Sequence, residues 1–314
     1  MKLFDLHCDT LYECYKTGCG LGRNRLHIDL ERGLSAADMW GQAFAVWMPD
    51  ELRGEDARQQ CHAILEMAYE QSVCNSDKMT IVTTPEQMDG ALCERKCAAV
   101  LTVEGGSALA GRLDTLDLLA GYGVKLITIT WNGSNELGNG CLSDCGDGLT
   151  PFGKSAVRRM AELGIVPDVS HLNHYGFWDV MECAGSTVAA THSVSESVYA
   201  HPRNLTDEQF AALRDAGGVV GLNLCADQLG EQSFDGLRRH LDRYLSLDGD
   251  RTVALGFDLD GTDISPEWGG IQMVESFYEY LLQKQYEEAL LERLFFVNSY
   301  EFFKKALTNT SKGV

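Results

Sequence analysis

Apolar runs of five to seven residues recur from one end of this chain to the other, and amphipathic stretches at helical spacing separate them. The eight clearest runs are Lys2–Leu6, Gly41–Trp47, Ala98–Val103, Lys125–Thr130, Ile165–Val169, Thr187–Thr191, Val219–Asn223 and Val253–Phe257. Between them lie the helical patterns Glu55–Val73, Arg112–Leu119, Pro151–Glu162, Thr206–Asp215 and Phe234–Leu247, and Gln285–Leu307 reads as a closing helix. An extra strand is expected near Lys78–Thr83. Strands that alternate with helices pair in parallel, because a crossover helix is needed to bring the chain back to start the next strand in the same direction. Such an α/β pattern suits a closed (β/α)8 barrel or a doubly wound open sheet, and alternation alone does not choose between them.

The chain of 314 residues, 45% hydrophobic and 23% charged, can bury one large core. No linker, repeat or low-complexity segment divides it, so residues 1–314 are expected to form a single domain. The formal charge of −20 argues against nucleic acid and anionic membranes as partners, since both require a basic surface. No stretch approaches the ~18 apolar residues of a membrane span. The opening residues lack a secretory leader, and the tail Lys312-Gly313-Val314 lacks a lipid-anchor signature. A cytoplasmic protein is expected. The eleven cysteines are scattered, with Cys8, Cys61, Cys183 and Cys225 in or beside regular elements, which fits reduced thiols rather than a disulfide framework. Cys93/Cys97 and Cys141/Cys145 are each four apart, but no further pair stands at a zinc-ribbon distance.

The local grammar supports these assignments. Thr150-Pro151 and Thr206-Asp207-Glu208 read as helix starts, with a capping hydroxyl followed by proline or acids. The Asn132–Gly148 segment is rich in Gly, Asn and Asp and long for a strand-to-helix connection, which suggests an active-site loop.

Chemistry gathers where the apolar runs stop. The first runs into His7-Cys8-Asp9, and alternation along extended chain turns His7 and Asp9 to one side and Cys8 to the other. The third ends in Glu104-Gly105-Gly106, where a carboxylate with two oxygens could bridge two ions and the glycines allow a sharp turn. The fifth ends in Asp168-Val169-Ser170-His171, the sixth in Thr191-His192-Ser193, and the eighth in Phe257-Asp258-Leu259-Asp260-Gly261. Any one of these is commonplace. Together they place imidazoles and carboxylates, suitable zinc donors, at the carboxyl ends of several strands, where barrel enzymes carry their active sites.

These stretches, with Leu149-Thr150-Pro151-Phe152-Gly153 and Arg203-Asn204, occur in an order that resembles the membrane (renal) dipeptidase family of metal-dependent amidohydrolases. The resemblance covers nearly the whole chain. It implies a (β/α)8 TIM barrel with a binuclear metal site at its C-terminal face. It also implies two zinc ions, one held by His7 and Asp9 and the other by His171 and His192, bridged by Glu104 and a water or hydroxide. Arg203 is then expected to grip the substrate's carboxylate and Asp258 to be the catalytic carboxylate, with Asp260 as the neighbour most easily confused with it. The implied activity is hydrolysis of dipeptides, extending to a D-residue at the C-terminal position. A homodimer is a further expectation, since family members often pair.

One position departs from that pattern. Where the animal enzymes carry a histidine after the fourth strand, this chain has Trp131-Asn132. An indole donates one hydrogen bond and cannot become a cation. Trp131 and Asn132 are therefore expected at the substrate, with Asn132 or His174 as compensating groups. The remaining histidines, His27, His62, His201 and His240, are expected to be surface or packing residues. Two other readings stay open: an amidohydrolase for N-acyl amino acids or other small amides, and a non-catalytic binding protein stabilised by zinc.

Overall fold

The computed structural model describes residues 1–185 and 187–308, so the Lys312-Gly313-Val314 tail lies outside the described residues. Its strands are β1 (Lys2–Asp5), β2 (Met39–Trp47), β3 (Met79–Ile81), β4 (Cys97–Glu104), β5 (Leu126–Thr128), β6 (Val166–Asp168), β7 (Ala189–Ala190), β8 (Val219–Leu222) and β9 (Val253–Leu255). Every pairing is parallel. The sheet runs β2-β1-β9-β8-β7-β6-β5-β4, and pairing of β2 with β4 along Trp40–Trp47 and Cys97–Glu104 closes it into an eight-stranded barrel. Closure excludes the open doubly wound sheet. The expected extra strand is β3, which takes residues 97–99 of the β4 edge, while β5 takes residues 102–104 of β4.

Each of the eight barrel strands contributes to one apolar cluster: Phe4, Ala43, Ala98 and Val100, Leu126, Val166, Ala189, Val219 and Ala254. The closing helix adds Phe302 and Phe303, and Phe303 stacks on Phe4 with centroids 5.2 Å apart. A larger apolar layer packs the helices outside the strands. Since side chains alternate in a strand, the row that starts with Ala98 and Val100 continues through Thr102 to Glu104, and the row of Val166 continues to Asp168. The same pattern that fills the barrel therefore sets polar groups above its core.

Helix starts follow the sequence. Thr150 accepts the Gly153 N–H ahead of helix Pro151–Leu163, and Thr206 forms a reciprocal capping box with Gln209 at helix Asp207–Asp215. The closing helix differs from expectation. It begins at Glu288, widens into a π-helical turn over Arg293–Val297 that buries Leu294, Phe295 and Phe296, and continues as Asn298–Thr308. Several strands are shorter than their apolar runs. The expected strand Thr187–Thr191 pairs only at Ala189–Ala190, because its later residues leave the ladder to carry site groups. All eleven cysteines are free thiols, and no group of three ligand-type side chains among the described residues includes one. No helix among the described residues is long and apolar enough to cross a membrane.

Candidate metal centre

Six of the strand-end residues meet at the carboxyl-end mouth of the barrel. Glu104 lies in the middle. Its Oε1 is 2.8 Å from His171 Nε2 and 3.3 Å from His192 Nε2, while its Oε2 is 3.4 Å from His7 Nε2. The carboxylate thus offers one oxygen to each side, as a bridging ligand would. His7 Nε2 is also 3.9 Å from Asp9 Oδ1 and 3.7 Å from Asp258 Oδ1. Two groups have all their ligand atoms close enough for one ion: His7 with Glu104 and His192, and His7 with Asp9 and Asp258.

Buried aspartates hold the backbone beneath these ligands. Asp5 accepts from the His7 and Phe257 N–H groups and from Gln42 Nε2, which ties β1 to β2 and β9. Asp168 accepts from the Ser170 and Thr191 N–H groups and from the Thr128 and Thr191 hydroxyls, which ties β6 to β5 and β7. A carboxylate with this many donors fixes where the following residues point. Outer contacts orient two rings: His171 Nδ1 lies 2.8 Å from Asn132 Oδ1, and His192 Nδ1 lies 2.8 Å from Thr191 Oγ1.

The backbone carries strain here. His171, Asp258 and Asp260 have φ of 68°, 61° and 69°, a left-handed conformation that side chains with a Cβ adopt at a cost. Two glycines serve the opposite need. Gly105, at φ 96°, turns the chain directly after Glu104. A Cβ on Gly261 would stand 2.2 Å from both Asp258 Oδ1 and Asp9 Oδ2, so only glycine lets these carboxylates approach.

Electrostatics divide the ligands. Burial, with help from the Arg203 charge, lowers His171 to about 4, and burial together with the field of His7 pushes His192 well below its usual value. Burial opposes the charged form of His7 as well, but the carboxylates of Glu104, Asp9 and Asp258 outweigh it and raise the ring to about 10. Burial is the largest influence raising Asp9 well above the ordinary range and Asp258 to about 7. Glu104 is held low because His7 and His171 overcome its burial.

A metal fits this set on three counts. The donors are imidazole nitrogen and carboxylate oxygen. They converge from several elements on a space of a few ångströms. His7 Nε2 and Asp9 Oδ1 are buried without a hydrogen-bond partner, a costly state that a bound cation would relieve.

A cavity of about 370 Å³ opens over the centre, lined by Asp9, Glu104, His171 and Asp258 on its floor and by Arg203 on its wall. Arg203 is buried, and its Nε and Nη1 have no partner. Asp258 and Asp260 both border the cavity but differ in their bonding. Asp260 accepts from Thr10 Oγ1 and from the His27 and Ile28 N–H groups, whereas Asp258 faces His7. Trp131 lines the cavity, as does Asn132, whose Oδ1 is engaged with His171. His174 lines a separate cavity of about 290 Å³ and accepts a hydrogen bond from Trp178. His201, half-buried, lines the same cavity beside Arg203. Tyr12, Trp47, Asp227 and Gln228 line the cavity too, without having been singled out in the sequence. Trp47 could have been found there, since it ends a strand and strand ends form the mouth.

Comparison with known proteins identifies the fold and the family. Residues 1–312 match the sequence model of a family described as membrane dipeptidase, peptidase family M19. The chain is 26% identical to dipeptidase AC, a metallopeptidase of known structure, with a TM-score of 0.90 over 100% of this chain and 99% of that one. It is 25% identical to a Rhodobacter sphaeroides metallopeptidase solved with a phosphinate mimic of the dipeptide L-Ala-D-Ala, with a TM-score of 0.89 over 99% of each chain. An uncharacterised Klebsiella pneumoniae protein from the pqqA 5′ region is 34% identical over 220 residues, 65% of this chain and 80% of that one.

Proposed function

The chain belongs to the membrane dipeptidase family, peptidase family M19, and is a metallo-dipeptidase; from that premise we propose a zinc enzyme that cleaves free dipeptides, including those with a C-terminal D-residue. The observation that carries the substrate reading is Arg203. A buried guanidinium with two unpaired nitrogen positions is expensive unless an anion completes it. Its planar fork matches a carboxylate, and it shares a cavity with Glu104 and Asp258. A substrate carboxylate held there places the preceding amide above the centre, so the cut falls one residue from the C-terminus. The D-residue reading is supported by the phosphinate mimic of L-Ala-D-Ala bound to the Rhodobacter sphaeroides relative.

Residues 1–314 would act as one catalytic unit, with His7, Asp9, Glu104, His171 and His192 as the ligands and Glu104 shared by two zinc ions. Bound there, the ions would supply Lewis acidity to the scissile carbonyl and to the attacking water. The protein's own residues do the rest. Arg203 fixes the carboxylate end of the substrate. Asp258, unlike Asp260, is not committed to backbone donors and accepts a proton on its carboxylate, then delivers it to the departing amine.

The test is hydrolysis of a panel of L-Xaa-L-Xaa and L-Xaa-D-Xaa dipeptides by zinc-loaded protein, beside a chelated sample and Asp258→Asn. Expected are loss of cleavage on chelation and a fall in kcat of ~10²–10⁴-fold in the variant with zinc content retained. Cleavage that survives chelation, or a panel left intact by protein carrying two zinc ions, would overturn the reading.

A further inference from the structure

The cavity has a wall that the hydrolytic chemistry does not use. Tyr12, Trp47 and Trp131 stand edge to face in a row, with centroids 4.6 Å apart at 89° for the first pair and 4.9 Å apart at 77° for the second. All three line the cavity, and each is only partly buried, so ring area stays open to an occupant. They arrive from three places: helix Thr10–Thr17, the end of β2, and the loop after β5. Trp47 is in register with Glu104 on the neighbouring strand, so the row begins beside the central carboxylate.

Strand order gives the wall a direction. Around the closed barrel the sequence is β1, β2, β4, β5, β6, β7, β8, β9, which places β7 diametrically across from β2. Arg203 follows β7 and Trp47 ends β2. A dipeptide with its carboxylate on Arg203 and its amide above Glu104 therefore points its other residue toward Trp47.

Charge narrows what that residue carries. Glu13, at the rim, is paired with Lys16 at 3.2 Å, and Lys16 Nζ lies 5.8 Å from the Tyr12 ring centroid. Asp260 is occupied by Thr10 and two backbone N–H groups. Glu13 and Asp260 are thus already answered, and what the row presents is ring surface. Aromatic edges and faces favour planar or bulky apolar groups.

We propose that Tyr12, Trp47 and Trp131 form the pocket for the side chain of the substrate's N-terminal residue, and that they select an aromatic or large aliphatic one. The inference rests on the dipeptidase reading for its orientation. Trp131 then acts as a specificity determinant beside the metal centre.

The test compares Phe-Ala with Gly-Ala as substrates, and phosphinate mimics of the same two dipeptides as ligands, by calorimetry on zinc-loaded protein. The wild type is expected to favour the Phe member by ~10-fold or more in both kcat/KM and Kd, since burying a large apolar side chain supplies discrimination of that order. Trp131→Ala and Trp47→Leu are expected to bring the ratio within about twofold. A merely structural role would lower both substrates together and leave the ratio intact. Equal handling of the two by the wild type, or a preference that survives in both variants, would overturn the pocket. Binding preference without any cleavage would sink the hydrolytic reading and leave the pocket standing, whereas cleavage without preference would do the reverse.

Discussion

On the β6/β7 side of the centre, both imidazoles have their outer nitrogens engaged, His171 by Asn132 and His192 by Thr191. On the β1/β9 side, His7 Nε2 and Asp9 Oδ1 are buried without partners, and two carboxylates crowd one ring. Each side rests on a buried aspartate, Asp168 or Asp5, so the contrast does not come from the scaffold. It comes from charge. The imidazole half is made of neutral donors that hydrogen bonds alone can orient. The acidic half crowds carboxylates around His7, whose proton they hold, and a bound cation would take the place of that proton. One half is shaped by the protein, and the other is shaped jointly by the protein and what it binds.

The strongest way to break this picture is through the group both halves share. Glu104→Gln removes the charge that faces His171 and His192 with one oxygen and His7 with the other. The expected result is a loss of ~10⁴-fold in kcat/KM, of the order seen when a buried, transition-state charge is removed, with fewer than two metals per chain. A variant that kept both metals and activity within tenfold would show that the halves do not depend on Glu104.

Two milder changes separate the halves. Gly261→Ala drives a Cβ against Asp258 and Asp9 and touches no group of the imidazole side. Asn132→Ala removes the orienting partner of His171 and leaves the acidic side alone. Each is expected to weaken metal binding by ~10–100-fold, the usual cost of displacing or disorienting a ligand. With two ions bound as proposed, competition with a chelator should show the loss confined to one site, a different one for each variant. Loss of the same site in both would mean that the halves are not separable.

Much of this was legible in the sequence because the barrel obeys local rules. Short β-branched runs, capping hydroxyls at Thr150 and Thr206, and glycines after Glu104 mark elements whose positions follow from pattern. Polar residues at run ends mark the mouth, since a strand that leaves its ladder there has no apolar core to face. The sequence could not choose a closed barrel over an open sheet, because closure is a pairing of β2 with β4 across an intervening strand. It also left His201, Tyr12 and Trp47 unassigned as cavity residues, whereas Trp131 was expected at the substrate. Such residues converge from elements far apart in the chain, and no local periodicity records that. Asp258 and Asp260 are alike in sequence context, and only hydrogen bonding tells them apart.

The smallest expected effect concerns acid, and it falls on the imidazole half alone. His240 is fully buried in helix Phe234–Leu245, where its Nδ1 accepts the Ser195 N–H at 3.0 Å and its Nε2 lies 3.2 Å from the Leu229 carbonyl. Ser195 follows His192 by three residues and bridges to Leu205, so this contact braces the segment that carries His192 and Arg203. Protonation would set a second N–H against the Ser195 N–H and break the brace. Burial is the main reason the ring is held down at about 4, below its unfolded value of 6.5. Because the folded value is the lower one, the neutral ring contributes stability that is present above pH 6.5 and lost as pH falls toward 4. Between pH 7 and 5 the loss amounts to about 2 kcal/mol. Urea unfolding of chelated protein at the two pH values should show a drop that is smaller in His240→Gln than in the wild type by that amount. Groups at the metal centre titrate in both proteins and cancel in the difference. An identical drop in the two would mean that the brace on the imidazole half does not depend on a neutral ring.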